Sequence, residues 1–519
     1  MTTNRILSIL VSVIILYFCS CEKDDQHPGT QVNLAEILDG ELSYVLNPSG
    51  RAPLSAQVNF NSKIPTRVSV NVKGQIPIKS DFSTYSRKHN DPIVGLYPNS
   101  SNEVELIISD AYGRFASTVL QITTTALYEG LPDISIDVKA GQVNSDLILS
   151  DFHMGNTGFF TSYPFAFDQN GVIRWCLDLR EYKEITWPTQ RLKNGNMVFV
   201  RSGSIHEVDM LGNDLVVAPL SGYSAHHEIT EMPNGNFIVA VTKLGTSIEK
   251  NGTIESVEDF VIEVDRTSGT VVQEWDMREI LDVDRITLHD GDGDWFHMNG
   301  IDYSESDDCL IISGRFQCVV KVTRDNELVW ILAPHKGWGK SGANGTGPET
   351  NPYLLTAVNA SGQAYPLNVQ DGDNRSTDFD WTWGQHAPVI LDNGNLLLFD
   401  NGFKRQYTGV ELFSRAVEYD INESSNTIRE VWNYGEVRGS ECFSSIISNA
   451  QYSSSTNSVL FCPGFANAAG VGYSKVVEVN YPGNTVVFEA TLSHKNLTSS
   501  GDPGWGTIDI VYRSAKFTL

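Results

Sequence analysis

The chain has 519 residues, 41% of them hydrophobic, and a formal net charge of −26. No basic stretch interrupts that balance, which excludes nucleic acid as a partner and fits solubility outside the cell. Nothing beyond residue 20 is long and apolar enough for a membrane-spanning helix, and a mature chain of about 500 residues exceeds one ordinary domain unless it is built of repeats.

Residues 1–20 read as a signal peptide. Arg5 supplies the positive start, and Ile6–Phe18 is an apolar run too short to cross a bilayer. Ser20-Cys21 then resembles the cleavage site of a bacterial lipoprotein signal, which implies that Cys21 is lipidated. The expectation is an exported protein, lipid-anchored in a bacterial envelope at the outer membrane, on the periplasmic or the surface side. Glu22–Asp25 (EKDD) resembles the export tag of surface lipoproteins in the Bacteroidetes. Loss of Arg5 takes the net charge from −26 to −27. Five cysteines follow Cys21. Cys309 with Cys318, and Cys442 with Cys462, could staple neighbouring strands and leave Cys176 alone. No CxxC pair occurs, so a zinc–thiolate site is not expected.

After a tether over 21–31, residues 32–126 read as short strands broken by turn residues. RVSVNVKG and EVELIISD alternate apolar with polar, and ASTVLQITTT is β-branched. Pro48-Ser49-Gly50 and Asn90-Asp91-Pro92 are the expected turns. The reading is an immunoglobulin-like β-sandwich that carries no chemistry of its own.

From residue 127 the chain repeats. Three hairpins turn on Asn-Gly-Asn, at Leu192–Val200, Met232–Val241 and Leu391–Asp400. Weaker copies are Tyr303–Ser313, Tyr452–Phe461 and a partial unit at Ser145–Phe152. A second strand–turn–strand unit follows each copy, as in FAFDQNGVIRWCL and IEVDRTSGTVVQEW. Two hairpins repeated six times predict a six-bladed β-propeller over 127–519. The expected fold is therefore all-β, an N-terminal immunoglobulin-like sandwich followed by that propeller. Met277–Val283 is the one short stretch with helical periodicity.

Histidines recur at one place in these repeats. His227 and His386 each lie seven residues before the first Asn of an Asn-Gly-Asn, and His297 sits in the matching place before Tyr303–Ser313. The register selects His227 over His226, and its equivalents elsewhere are Trp187 and Ser448. Innermost strands line the channel of a propeller, so the three histidines are expected to meet there. Asn299 and Arg315 bracket the strand-like run after His297 and should join them, because polar groups of that kind are costly to bury without a purpose. Arg201 is a lesser candidate for the channel rim. His153, His206, His289, His335 and His494 lack the register and read as structural. Neutral imidazoles suit nucleophilic catalysis, proton transfer or metal binding. An arginine fork and an amide suit a sulfuryl or phosphoryl oxyanion. The three histidine stretches are thin in carboxylates, and Glu228 should point to the opposite face of its strand. That favours transfer of an anionic group over a metal site.

DWFHMN with SGRFQ, HHEI with PNGN, and QHAPVILDNG with FDNG resemble the bacterial arylsulfate sulfotransferases, which do not use the nucleotide sulfate donor. NPSGRAPLSA and DPIVGLYP extend the resemblance into the first domain. It implies a ping-pong transfer of a sulfuryl group from an aryl sulfate to a phenol, with no cofactor and no metal. His386 would be the sulfurylated nucleophile, His227, His297 and Arg315 would hold the sulfuryl oxygens, and Asn299 and His226 would contact the substrate. It also implies small phenolic partners and a homodimer. Two features depart from the family: the cysteine pair near its nucleophile is absent, and its late-blade threonine has no clear counterpart in Cys442–Ser448, where Ser444, Ser445 or Ser448 could substitute. A metal-dependent propeller hydrolase or lactonase, and a non-catalytic surface lipoprotein that binds its ligand in the channel, are the alternatives.

Overall fold

A computed structural model of the chain describes residues 29–519 apart from 141–145, 157–158, 251, 286–287, 289–292, 406, 408, 469–470 and 497–505. The signal segment and Cys21 lie outside the described residues. The first domain is a six-stranded sheet dominated by two long antiparallel strands, Ala56–Val72 and Ile78–Ile93. Ser101–Asp110 pairs with Ala56–Val72 and with Arg114–Thr123. The alternation in Ala56–Val72 puts Ala56, Val58, Phe60, Val68, Val70 and Val72 into the core. Pro48-Ser49-Gly50 is a turn as expected. Asn90-Asp91-Pro92 is not: Asp91 and Pro92 pair with Val58 and Gln57 inside the long strand. Strand pairing on this side does not require the proline N–H, so the residue type did not mark a turn.

Six sheets with four antiparallel strands at their heart follow among the described residues, along with a small two-stranded hairpin of Ser247–Glu249 and Thr253–Glu255. Their first strands are Trp187–Arg191, Tyr223–Glu231, Met298–Ser304, His386–Ile390, Asn449–Ser453 and Ile510–Phe517. These six strands contact one another in cyclic order, the last touching the first. The partial unit at 145–152 finds its missing partner here, since the final strand Ile510–Phe517 pairs with Leu147–Asn156. Asp133–Lys139 adds an outer strand to the sheet that begins with Asn449–Ser453. Met277–Ile280 is a single helical turn, with the Asp276 side chain accepting from the Arg278 N–H.

The Asn-Gly-Asn turns are built differently from a two-residue hairpin loop. Only the glycines are left-handed, with φ of 88°, 87° and 86° at Gly195, Gly235 and Gly394. Each glycine N–H bonds back to the residue three before it, closing a type I turn followed by a glycine bulge. The asparagines have a second task. Asn194 and Asn196 both donate to Glu207, Asn234 and Asn236 to Glu263, and Asn393 and Asn395 to Glu418. Each pair satisfies a buried carboxylate on the third strand of its sheet and ties the turn to it.

All five cysteines in the described residues are free and buried. Cys309 and Cys318 pair with Thr323 and Gly314, so they sit at opposite ends of one hairpin ladder and cannot be bridged.

Candidate active site

A cavity of about 440 Å³ opens where the first strands begin. His227, His297, His386, Arg315, Glu258, Asp294 and Lys404 are its polar lining. The rings of Trp187, Phe316 and Phe403, with Leu288, Ile446 and Ile447, form its apolar walls. The structure thus brings the three in-register histidines together with Arg315.

Local backbone explains how. The pairing of these strands slips around His227, His297 and His386. His227 and His297 adopt φ of 53° and Ala387 φ of 50°. A left-handed residue without glycine costs about 1–3 kcal/mol, which the surrounding ladders must hold in place. The result breaks the two-residue alternation and turns the imidazoles inward. Gly314 serves the same end: a Cβ there would lie 2.1 Å from the Phe296 ring, so only glycine lets the strand pass before Arg315.

His386 is 2% exposed. Its Nδ1 lies 2.7 Å from Asn401 Oδ1 and 3.1 Å from the Gly384 carbonyl. The Asn401 amide nitrogen donates to the carbonyls of Ser444 (2.8 Å) and Ile447 (2.9 Å), which fixes its oxygen toward the histidine. Both neighbours of Nδ1 are acceptors, so Nδ1 carries the proton and Nε2 keeps its lone pair. Burial, then the Arg315 charge, holds this ring well below the ordinary histidine pKa, so it is neutral at pH 7.

His227 stacks on Trp187 with centroids 4.5 Å apart and meets His297 edge-on at 5.1 Å. Burial, then His297, holds it well below the ordinary value too. His297 differs. Its Nδ1 is 2.7 Å from Asp294 Oδ2 and 3.1 Å from Glu258 Oε2. Burial pulls its pKa down, but the two carboxylates outweigh burial and raise it. Arg315 donates from Nη2 to the Ser445 carbonyl at 3.0 Å, while its buried Nε has no hydrogen-bond partner. Burial lowers its pKa to about 10, which leaves it a cation at neutral pH.

Asn299 and His226 lie behind the cavity and do not line it. Asn299 donates to the Gln385 carbonyl at 2.8 Å, holding the residue next to His386. Gln385 in turn donates to the carbonyls of Gly314 and Cys318 on the neighbouring sheet. His226 Nδ1 faces His227 Nδ1 at 3.2 Å. Glu228 points away as expected and pairs with Arg513 at 2.6 Å. Arg201 pairs with Glu184 outside the cavity. Ser444 and Ser448 are buried and bond to each other at 2.9 Å; Ile447 takes the place on the wall. His153, His206, His335 and His494 bond or stack within the fold, and His289 lies outside the described residues.

The expectation that carboxylates are scarce around the histidines is overturned by Glu258 and Asp294. Glu258 comes from a loop outside every repeat motif, so nothing in the hairpin pattern marked it. Asp294 opens DWFHMN, where its three-residue spacing to His297 was the available signal. Two sets, His226–His227–Glu258 and Glu258–Asp294–His297, bring nitrogen and oxygen atoms within 4.8 Å of one another. In both sets the Nδ1 atoms also stand at hydrogen-bond or ion-pair distance from one another or from a carboxylate, an arrangement that serves ion pairing and proton sharing with no ion required.

Residues 133–501 match the family described as arylsulfotransferase, and residues 43–125 match the arylsulfotransferase Ig-like domain. The chain is 29% identical to the arylsulfate sulfotransferase AssT of Escherichia coli O6:H1, over 85% of this chain and 88% of that protein. It is 28% identical to AssT of Lelliottia amnigena, over 84% of this chain and 87% of that one. Among solved structures, the gluconolactonase XC5397 of Xanthomonas campestris is similar at 10% identity over 71% of this chain and 96% of that one, with a TM-score of 0.32, too low to carry an argument.

Proposed function

The chain belongs to the arylsulfotransferase family and is an arylsulfate sulfotransferase, and from that premise we propose that it carries the sulfuryl group on Nε2 of His386. The observation that carries this reading is the tautomer. Asn401 and Gly384 hold the proton on Nδ1, and burial with Arg315 keeps the ring neutral, so a nucleophilic lone pair is available at pH 7.

In the first half-reaction Nε2 attacks the sulfur of an aryl sulfate, the N–S bond forms, and the S–O bond to the ring breaks with its electron pair going to the phenolate oxygen. In the second, a phenol oxygen attacks the same sulfur and the N–S pair returns to His386. Arg315, His227 and His297 surround the sulfuryl oxygens with donors as charge moves onto and off them. Trp187, Phe316 and Phe403 supply flat apolar walls for the aryl group of donor and acceptor in turn. The six sheets are read as the blades of a propeller around this channel, supported by the cyclic contacts of their first strands.

Mixing the protein with p-nitrophenyl sulfate is expected to add the mass of one sulfuryl group, located on His386 by peptide mapping and removed by phenol. An adduct on another residue, or nitrophenol release with no adduct in rapid-quench samples, sinks the sulfohistidine route.

Dialysis against a chelator is expected to leave the transfer rate unchanged. A loss of activity restored by a divalent ion, with stoichiometric metal by elemental analysis, would instead support a metal-dependent hydrolase that uses the same histidines.

A further inference from the structure

Glu258 stands outside the motifs that located the site, yet its carboxylate reaches between two of the histidines. Its backbone is left-handed, with φ of 56°, and it is fixed on both sides. Its N–H donates to Thr242 Oγ1 at 2.9 Å, and its carbonyl accepts from the Met298 N–H at 3.0 Å, the residue next to His297. A glutamate in that strained conformation is there because the fold holds it so. Its Oε2 is 3.1 Å from His297 Nδ1 and 3.9 Å from His227 Nδ1, and makes no aligned hydrogen bond.

His297 therefore presents Nδ1 to Asp294 and Glu258, which leaves Nε2 as the ring atom available to a substrate in the cavity. Two half-buried carboxylates on one edge of an imidazole favour the doubly protonated ring. Burial pushes the Glu258 carboxyl up to about 7, opposed by His297, so a proton on either group is shared with the other. Neither His227 nor His386 can act this way, since both are held neutral.

Resting on the sulfohistidine reading above, we propose that Glu258 is the positioning residue that makes His297 the proton carrier of the reaction. In the donor half-reaction the His297 Nε2–H passes its proton to the departing phenolate as the S–O bond breaks. The ring, now neutral, keeps its Nδ1 proton on the carboxylates. In the acceptor half-reaction the phenol O–H gives its proton back to Nε2 as its oxygen forms the new S–O bond and the N–S pair returns to His386. The proton count closes over the cycle.

Leaving-group dependence separates this role from a structural one. p-Nitrophenolate is a weak base that departs without a proton, whereas phenolate needs one. Glu258→Gln is expected to lower kcat/KM for phenyl sulfate by about 10²–10³ and for p-nitrophenyl sulfate by less than about tenfold. Glu258→Asp, which restores a carboxylate, should recover most of the loss with phenyl sulfate. Equal losses with both donors, or an aspartate variant no better than the glutamine one, would overturn the proposal. The wild-type protein gives a test independent of any variant's folding: its rate of adduct formation should vary little across aryl sulfates of differing phenol basicity. A steep dependence in the wild type overturns the proton carrier while leaving sulfohistidine intact. No adduct in the wild type removes both.

Discussion

An alanine at position 386 is expected to slow sulfuryl transfer by about 10⁴-fold or more, and an alanine at Asn401 by about 10²–10⁴-fold, with little change in KM for either. The first removes the nucleophile. The second leaves the imidazole in place but frees its tautomer and its tilt, so that Nε2 faces the sulfur only part of the time. Asn401→Ala also strips the donor from the buried Ile447 carbonyl, at about 1–3 kcal/mol, and leaves the Ser444 carbonyl only the longer bond from Ser414 Oγ, so its melting temperature should fall as well. Asn401→Asp distinguishes orientation from charge. A carboxylate beside Nδ1–H favours the protonated ring and raises the His386 pKa from its present position well below 6.5. Below that raised pKa the ring has no lone pair, so this variant should lose activity as pH falls through the neutral range, where the wild type does not. An Asn401→Asp rate that tracks the wild type across this range would show that Asn401 does not hold the nucleophile's lone pair.

Much of this site can be read along the chain, because a strand that lines a channel repeats its geometry from sheet to sheet. The spacing of His227 and His386 to Asn-Gly-Asn worked for that reason: the turns fix the register of each hairpin, so equal spacing means equal place. Arg315 follows the strand that pairs with the one after His297, and it arrives beside it by simple antiparallel return. Other positions escaped because alternation fails at a left-handed residue. In His226-His227-Glu228, strict alternation would put His226 and Glu228 on one face. The bulge instead brings the two imidazoles against each other, while Glu228 goes to Arg513 on the far side as alternation predicts. Asn299 reads as a site residue from its distance to His297, yet the bulge beside it turns its amide back toward Gln385. Glu258 reaches the site from a loop through a backbone conformation that glutamate seldom adopts, and no residue pattern announces that. The role of Asn401 was hidden for a different reason. FDNG reads as a strand end, and only the folded chain shows the asparagine facing His386 across its own hairpin.

Arg315→Ala is expected to cost about 10²–10³ in kcat, the range for loss of one preorganised oxyanion donor. Arg315→Lys should recover little of it. The guanidinium is anchored by one nitrogen on the Ser445 carbonyl and sits over the faces of Phe403 and Phe316, 4.7 and 5.2 Å from their centroids. That leaves its unpaired Nε and the rest of the fork for sulfuryl oxygens, an arrangement a single ammonium cannot reproduce. The loss has two sources, and pH separates them. Arg315 is, after burial, the main group that keeps His386 neutral, so removing it raises the His386 pKa as well as removing a donor. The first effect disappears when pH is raised above the new pKa, because the imidazole is then neutral again. The second persists at every pH, since no other cation replaces the fork. A variant that regains the wild-type rate at alkaline pH would assign Arg315 to the electrostatics of His386 alone. A residual deficit of about 10² at the plateau would place it on the sulfuryl group in the transition state.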